Sequence, residues 1–181
     1  MLSREYNVFH FRWNVPILSE ISNLDGARFV TILNRIGISR SVLSSTLDKL
    51  VESGLVKRNP GYGHPLRPEY LLPPEGKKIA PLCTDLMKLV KEHKAWRLVQ
   101  SRWALRIMFL LAEPGLRFSE MRSRLAPITP RALSEELKLL NSEGYVERKI
   151  IDDYPPSALY RLTPKSFPFI TILKKENISA Y

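Results

Sequence analysis

The sequence is poor in cysteine and histidine, which build disulfides and many metal centres. Its 181 residues include one cysteine, Cys83, which cannot form a disulfide within the chain and indicates an intracellular protein. The histidines, His10, His64 and His93, are too scattered to indicate a metal site. The sequence contains neither a phosphate-cradling glycine loop nor a nucleophile elbow. We therefore expect no enzymatic activity, no cofactor and no bound metal.

Long apolar runs are also missing. The most apolar helical stretch, residues 103–112, is short and is interrupted by Arg106, so no membrane span is expected. The first residues, MLSREYNVFHFRW, carry charge early and lack the apolar run of a secretory signal. These absences predict a cytoplasmic protein.

Positive charge, in contrast, is abundant. The chain carries 28 lysine and arginine residues against 18 aspartate and glutamate residues, which gives a net charge of +10 and a pI near 9.9. Such a surplus suits nucleic acid or an anionic membrane surface, although a solvated cationic surface has the same composition. With 44% hydrophobic residues the chain can also bury a core.

One stretch of the sequence occurs twice. Residues 38–58, ISRSVLSSTLDKLVESGLVKR, match residues 128–148, ITPRALSEELKLLNSEGYVER, without a gap. In both copies apolar residues recur at helical spacing, and Gly54 or Gly144 follows as the expected helix stop. The residues predicted to form the buried face are Ile38, Val42, Leu43, Leu47, Leu50 and Val51 in the first copy and Ile128, Ala132, Leu133, Leu137 and Leu140 in the second.

The flanking residues predict a winged helix in each copy. In the first half we expect helices over residues 13–22 and 28–36, then the repeated helix with Ser39 as its cap. Strands at residues 55–59 and 69–72 would form a two-stranded hairpin. Helix, helix, turn, helix and hairpin is the order of elements in a winged helix-turn-helix module.

The second half repeats this order, and matching residues lie 90 positions apart, as with Trp13 and Trp103. We therefore predict a mainly α fold with small β-hairpins (α+β), built from two tandem winged helix-turn-helix domains that form a pseudo-dimer within one chain. The predicted domains are residues 1–85 and 102–181, joined by a basic helical connector over residues 86–101.

These motifs resemble those of the HxlR-type winged-helix transcriptional regulators, relatives of the MarR group. The shared pieces are Gly-x-Arg-Phe, a Ser- or Thr-capped helix with spaced leucines, Gly-Leu/Tyr-Val-x-Arg and Pro-x-x-x-x-Tyr-x-Leu-x-Pro. They cover residues 13–76 and again 103–166. The resemblance implies a DNA-binding regulator. Family members usually carry one winged helix and dimerise, and many sense oxidants through a cysteine near the N-terminus, whereas this chain has two modules and no such cysteine.

The first repeated helix carries the better candidates for base reading. The N-terminal part of the second helix of a helix-turn-helix enters the major groove. Arg40 is the best reader there, because a guanidinium can bond O6 and N7 of guanine together, and serines can donate to bases or phosphates. A solvated helix with a charged tip is the alternative. The predicted contacts are Ser39, Arg40, Ser41, Ser44, Ser45 and Lys49.

The second repeated helix offers a more acidic surface. Glu135 and Glu136 would be repelled by phosphates, although a carboxylate can accept from N4 of cytosine. We therefore expect the first helix to be the stronger reader. The predicted contacts of the second helix are Thr129, Arg131, Ser134 and Lys138.

The wings are expected to lie beside the DNA backbone. Basic residues there would meet phosphates, which position a protein without reading sequence. Asp152 and Asp153 weaken the second wing as a phosphate clamp. The predicted backbone contacts are Lys57, Arg58 and Arg67 in the first wing and Arg148 and Lys149 in the second.

The sequence thus predicts a nucleoid-associated transcriptional regulator that binds double-stranded DNA. It would act as a monomeric pseudo-dimer, with reading helices roughly 34 Å apart, or as a homodimer through its terminal helices. Two alternatives stay open. One is an architectural DNA binder without sequence preference, and the other is a tandem winged-helix scaffold for protein interactions.

Overall fold

The chain divides into two units, residues 1–100 and residues 101–181. The structure is a computed structural model that describes residues 8–59, 69–112, 114–151 and 157–175. Within these residues, no helix combines the length and the apolar character needed to cross a membrane.

The first unit is a winged helix followed by two further helices. Helices α1, α2 and α3 lead into a small antiparallel sheet of strand order β1-β3-β2. The elements are α1 Asn14–Asn23, β1 Ala27–Arg28, α2 Phe29–Ile36, α3 Arg40–Glu52, β2 Lys57–Asn59, β3 Glu69–Leu71, α4 Pro74–Glu92 and α5 Trp96–Gln100.

The second unit repeats this arrangement, with sheet order β4-β6-β5. The prediction of two winged helix-turn-helix modules in a mainly α chain is confirmed. The elements are α6 Ala104–Leu110, β4 Leu116–Arg117, α7 Phe118–Arg124, α8 Pro130–Ser142, β5 Val146–Ile151, β6 Ser157–Leu162, a 3-10 turn at Pro164–Ser166 and α9 Phe167–Lys175.

Each sheet contains a strand that the sequence did not predict. In the first unit, β1 pairs Ala27 with Tyr70 and Arg28 with Glu69, so the sheet has three strands rather than two. Arg28 therefore ends a strand, and the helix begins at Phe29 instead of Arg28. A strand of two residues is too short to show alternation in the sequence, so periodicity could not reveal it.

Both repeated helices, α3 and α8, begin at a hydroxyl cap. The Ser39 Oγ accepts a hydrogen bond from the Val42 backbone N–H at 3.3 Å. The Thr129 Oγ1 accepts from the Ala132 N–H at 3.2 Å. The predicted cap at Ser39 is confirmed, and each cap satisfies one of the backbone donors that have no partner inside the helix.

Both helices also end in the same way. Gly54 and Gly144 have φ values of +72° and +76°, the left-handed conformation that glycine adopts at least cost. The N–H of Leu55 then donates to the carbonyl of Leu50 at 3.0 Å, and the equivalent bond in the second unit measures 2.9 Å. The glycine stops predicted from the sequence are confirmed.

The leucines of the repeated helices form the centre of each core. They are at most 2% exposed: Leu43, Leu47 and Leu50 in α3, and Leu133, Leu137 and Leu140 in α8. The assignment of Val42 and Val51 to the buried face is wrong, because these side chains are 39% and 37% exposed. They lie on the two flanks of the apolar stripe, where periodicity alone does not distinguish buried from exposed positions.

Helix α4 belongs to the first unit along its whole length. Its buried face, which includes Leu82, Leu86 and Val90, packs against α1. The proposed boundary at residue 85 falls inside this helix, whereas the division between units follows Gln100. Residues 86–100, expected to form a connector, thus lie in the first unit.

The two units differ in the contact made just after the C-terminal end of the repeated helix. Gly76 in α4 is so close to the residue that follows the Gly54 stop that a Cβ there would lie 2.1 Å from the backbone oxygen of Leu55. The residue 90 positions later is Ser166, whose buried hydroxyl donates a short hydrogen bond to the backbone oxygen of Tyr145. One unit therefore uses close backbone packing where the other uses a side-chain hydrogen bond.

Two further side chains hold the C-terminal end of α8. The Thr163 Oγ1 donates to the Gly144 carbonyl at 2.6 Å, and the Lys165 ammonium donates to the Glu143 carbonyl at 2.7 Å. A cation is favourable there because the last carbonyls of a helix carry partial negative charge. The end of α8 is thereby tied to the segment that follows the wing.

Candidate nucleic-acid interface

The N-terminal half of α3 presents hydroxyls and one arginine to solvent. Arg40 is the first residue of the helix and forms no ion pair with any residue that the structure describes. The hydroxyls of Ser39 and Ser41 lie 3.1 Å apart. All of the contacts predicted on this helix are exposed: Ser39, Arg40, Ser41, Ser44, Ser45 and Lys49.

One of these side chains is engaged by the N-terminal segment. The Lys49 ammonium lies 4.3 Å from the centroid of the Phe11 ring, a cation–π contact that draws it toward the α1 side of the helix. A shallow groove runs between the two elements. Its lining residues are Phe11, Arg12, Trp13, Ser41, Val42, Ser45, Thr46 and Lys49.

Sequence reasoning missed the contribution of Phe11, Arg12 and Val42 to this surface. Phe11 and Lys49 are 38 positions apart, and no local signal connects them. The segment is fixed near α5, because the Arg12 guanidinium donates to the side-chain oxygen of Gln100 at 3.0 Å. Arg12 also lies 4.9 Å from the Trp13 ring centroid.

The surface of α8 carries a paired arginine instead. The Arg131 Nε lies 2.8 Å from the Glu135 carboxylate, one helical turn away. The hydrogen bond that Arg131 donates to the Glu135 carboxylate, together with the charge of that carboxylate, raises the pKa of Arg131 above its ordinary value. The exposed faces of the two repeated helices therefore differ, since Arg40 at the start of α3 has no such carboxylate among the residues that the structure describes.

The other contacts predicted on α8 are divided between open surface and groove. Thr129 and Lys138 are exposed, as Arg131 is, but Ser134 is half-buried. Ser134 lines a groove between the helix and the wing with Leu137, Lys138, Asn141, Arg148 and Tyr160.

Both wings bring basic side chains to the surface. Lys57 and Arg58 are exposed on β2, and Arg148 and Lys149 are exposed on β5. The Lys149 ammonium lies 3.5 Å from the Glu147 carboxylate, so part of its charge is offset. Arg67, the third cation predicted for the first wing, and the acidic pair of the second wing lie outside the described residues.

A tryptophan with a stacked arginine marks the start of α1 and of α6. Trp13 and Trp103 are half-buried, with the preceding arginine guanidinium 4.9 Å and 4.8 Å from the ring centroid. In the second unit Arg106 adds a further contact at 4.4 Å. Burial lowers the pKa of Arg106 to about 10, so it is charged at neutral pH.

The underside of α8 contains a partly buried carboxylate. Burial raises the pKa of Glu136 above that of an ordinary carboxyl, and a hydrogen bond with Ser101 opposes the shift. The residue at the same place in α3 is Thr46, whose hydroxyl donates to the Val42 carbonyl at 2.7 Å. Protonation of Glu136 is thus favoured by the fold of the second unit.

Cys83 lies inside α4 and is fully buried, and that burial raises the pKa of its thiol. It is therefore a core side chain and presents no thiolate to solvent. Across the part of the chain that the structure describes, no three histidine, cysteine or acidic side chains come together as a metal site.

Comparison with known protein families finds the same family twice along the chain. The model of the HxlR-like helix-turn-helix family matches residues 8–96 and again residues 98–175. Each of the two winged helices described above thus has a match of its own, and together the matches cover most of the chain.

Individual relatives match somewhat less than half of the chain. An uncharacterised HTH-type transcriptional regulator of Halalkalibacterium halodurans is 37% identical over 79 residues, which are 43% of this chain and 70% of that protein. The uncharacterised HTH-type transcriptional regulator YvaP of Bacillus subtilis is 39% identical over 81 residues, or 45% and 75% of the two chains. A solved structure of the reduced transcriptional regulator YodB from B. subtilis is 28% identical, covers 48% of this chain and 85% of that chain, and has a TM-score of 0.44.

Proposed function

The chain belongs to the HxlR-like helix-turn-helix family of transcriptional regulators, and from that premise we propose that it reads the major groove of double-stranded DNA with α3 and α8. Family membership makes the protein a DNA-binding regulator rather than an enzyme. The proposal adds which side chains meet the bases, which meet the phosphates, and how the two modules share one site on the chromosome.

The arrangement at the start of α3 carries the proposal. Arg40 is exposed, lies in the first turn and has no carboxylate partner among the described residues, so its guanidinium is available to O6 and N7 of a guanine. Ser41, Ser44 and Ser45 surround it with short hydrogen-bonding groups. Such a surface fits base edges, whereas the first turn of α8 offers an arginine already engaged by Glu135.

The wings supply the contacts that do not depend on sequence. Lys57 and Arg58 in the first unit, and Arg148 and Lys149 in the second, are exposed cations on strands adjacent to the reading helices. In this proposal they neutralise phosphates and hold each helix in register on the duplex. Arg67 would act with them.

Two modules in one chain suggest a pseudo-dimer. Family members often act as dimers, and here a single polypeptide contains both winged helices. We propose that they occupy two half-sites about one helical turn, or roughly 10 base pairs, apart. The same chain bound along the chromosome would be nucleoid-associated.

Salt-dependent binding followed by selection tests this function. With four exposed wing cations on phosphates, the logarithm of the affinity should fall against the logarithm of salt concentration with a slope of about −4. Selection from a random duplex library should then enrich a motif. Affinity that does not respond to salt would overturn the proposal.

Two variants separate reading from positioning. Arg40→Ala should weaken binding to the selected duplex by about 1–3 kcal/mol and leave random duplexes nearly unaffected, because it removes a base contact. Lys57→Ala should weaken both duplexes alike and make the salt slope about one unit shallower. Equal losses on both duplexes for Arg40→Ala would contradict its assigned role.

The same experiment identifies the two alternatives. Tight binding without an enriched motif would indicate an architectural DNA binder that uses the same surface. Weak binding at moderate salt, together with capture of a protein partner, would indicate an interaction scaffold. The exposed carboxylate of Glu135 on α8 is the feature that a scaffold would explain.

A further inference from the structure

An apolar patch lies on the flank of α3, beside the side chains proposed to read bases. Val42 and Phe11 are 39% and 37% exposed and line the same shallow groove. The groove also contains Ser41, Ser45 and Lys49, so hydrogen-bonding groups surround the two apolar side chains. We refer to these two residues as the Phe11–Val42 patch.

The core of the first unit does not account for this patch. The apolar stripe of α3 is completed by leucines that are at most 1% exposed, and Val42 lies outside it. The Phe11 ring has Lys49 over it at 4.3 Å and forms a T-shaped pair with the His10 ring at 4.9 Å. Single exposed apolar residues are common, but here two lie together, Val42 on the helix that would enter the major groove and Phe11 on the segment beside it.

The major groove offers one group that suits such a patch. Each base pair presents donors and acceptors at its edge, and thymine alone adds a methyl group, at C5. Val42 is the third residue of α3, in the N-terminal part that enters the groove in a helix-turn-helix complex. We infer that the Phe11–Val42 patch contacts the 5-methyl group of a thymine in the half-site read by the first unit. This inference rests on the proposed function.

The second unit does not carry the same patch. The residues 90 positions after Phe11 and Val42 are Ser101 and Ala132, and both are half-buried. The Ser101 hydroxyl accepts from the backbone N–H groups of Trp103 and Ala104 at 3.0 Å and 3.1 Å, and no aromatic ring stands at this position. The two half-sites therefore differ in composition, with the thymine requirement in one of them only. The preferred duplex is not a palindrome.

Removal of the methyl group from the DNA tests the contact directly. Starting from a selected duplex, each thymine in turn is replaced by deoxyuridine, which keeps every hydrogen-bonding group and deletes the 5-methyl. Burial of one methyl group is worth about a fourfold change in affinity. We expect a loss of that size at one or two positions of a single half-site, measured by fluorescence anisotropy.

Two valine variants assign the effect to a side chain. Val42→Ala should bind the uridine and thymine duplexes nearly equally, because the group that sensed the methyl is gone. Val51→Ala is the matched control, since Val51 lies on the same helix with 37% exposure but near its C-terminal end. It should keep the wild-type response to uridine. Circular dichroism verifies that both variants are folded.

The outcomes separate this inference from the function on which it rests. Uridine sensitivity that is present in the wild type and lost only in Val42→Ala supports the contact. The contact is overturned if deoxyuridine leaves the affinity unchanged at every position, or if it lowers the affinity of Val42→Ala as much as that of the wild type. DNA binding itself would still stand. A palindromic selected motif would overturn the inferred difference between half-sites. Failure to bind any duplex would refute the proposed function and the contact together.

Discussion

Replacement of Gly76 by alanine has two opposing effects on the stability of the first unit, and the structure allows their sizes to be compared. Gly76 lies in the first turn of α4, and its φ is not in the left-handed region, so alanine fits the local backbone. Helix propensity alone would make alanine more stable than glycine by about 1 kcal/mol. The added Cβ, however, would lie 2.1 Å from the Leu55 oxygen.

The steric cost should exceed the propensity gain. Cβ atoms essentially never approach such a neighbour within 3.0 Å, so α4 and the residue after the glycine stop must separate by at least 0.9 Å, the difference of these distances. The obstacle is a backbone carbonyl that cannot rotate away like the end of a side chain. Overpacking of this kind costs about 1–3 kcal/mol or more, and we expect a net loss of about 2 kcal/mol.

Urea unfolding measures this loss, and hydrogen exchange in peptides from residues 69–92 locates it in the first unit. A loss of about 2 kcal/mol corresponds to roughly 8–16 °C in the thermal midpoint of a domain of this size. Lys77→Ala is the control, because it places the same residue at the neighbouring exposed position and should stay within about 0.5 kcal/mol of the wild type. A Gly76→Ala protein as stable as this control would refute the reasoning.

Three further outcomes follow from the same structure. Ser39→Ala removes the acceptor for the Val42 N–H and should lower the unfolding free energy by about 1 kcal/mol in urea titrations, whereas an unchanged midpoint would exclude the cap. Because burial raises the pKa of Glu136 in the folded protein, its contribution to stability is fully present below the unfolded carboxyl pKa and is lost as pH rises through the folded pKa. Glu136→Gln should flatten that part of the stability profile, and an unaltered profile would count against burial. Since burial also raises the pKa of the Cys83 thiol, a thiol reagent should label the native protein no faster than it unfolds, and rapid labelling at neutral pH would contradict the buried position.

The sequence predicted the architecture because its signals are local and occur twice. Spaced leucines, a hydroxyl before each repeated helix and a glycine after it act within a few residues, so they can be identified without tertiary information. Ser39 and Gly54 occupy the predicted places in the structure. The strand at Ala27–Arg28 was missed because its stability comes from pairing with a strand some 40 residues away, which no local pattern reports.

The candidate surface was predicted less completely. Periodicity could not decide whether Val42, at the edge of the apolar stripe, would be buried, and the structure leaves it 39% exposed. The contact between Phe11 and Lys49 depends on where the N-terminal segment folds, for which the sequence has no signal. The Arg131–Glu135 pair could have been found, because residues four apart in a helix lie next to each other.

Because one polypeptide carries two winged helices, dilution cannot separate them. A DNA-binding dimer of separate subunits loses its second winged helix when the subunits dissociate at low concentration. A covalent link instead keeps two winged helices together in every molecule. In the proposed pseudo-dimer, the fraction of molecules that carry both winged helices would therefore not depend on the number of copies per cell. The sequence of each winged helix can also change without a change in the other. Identical subunits encoded by one gene cannot diverge in this way.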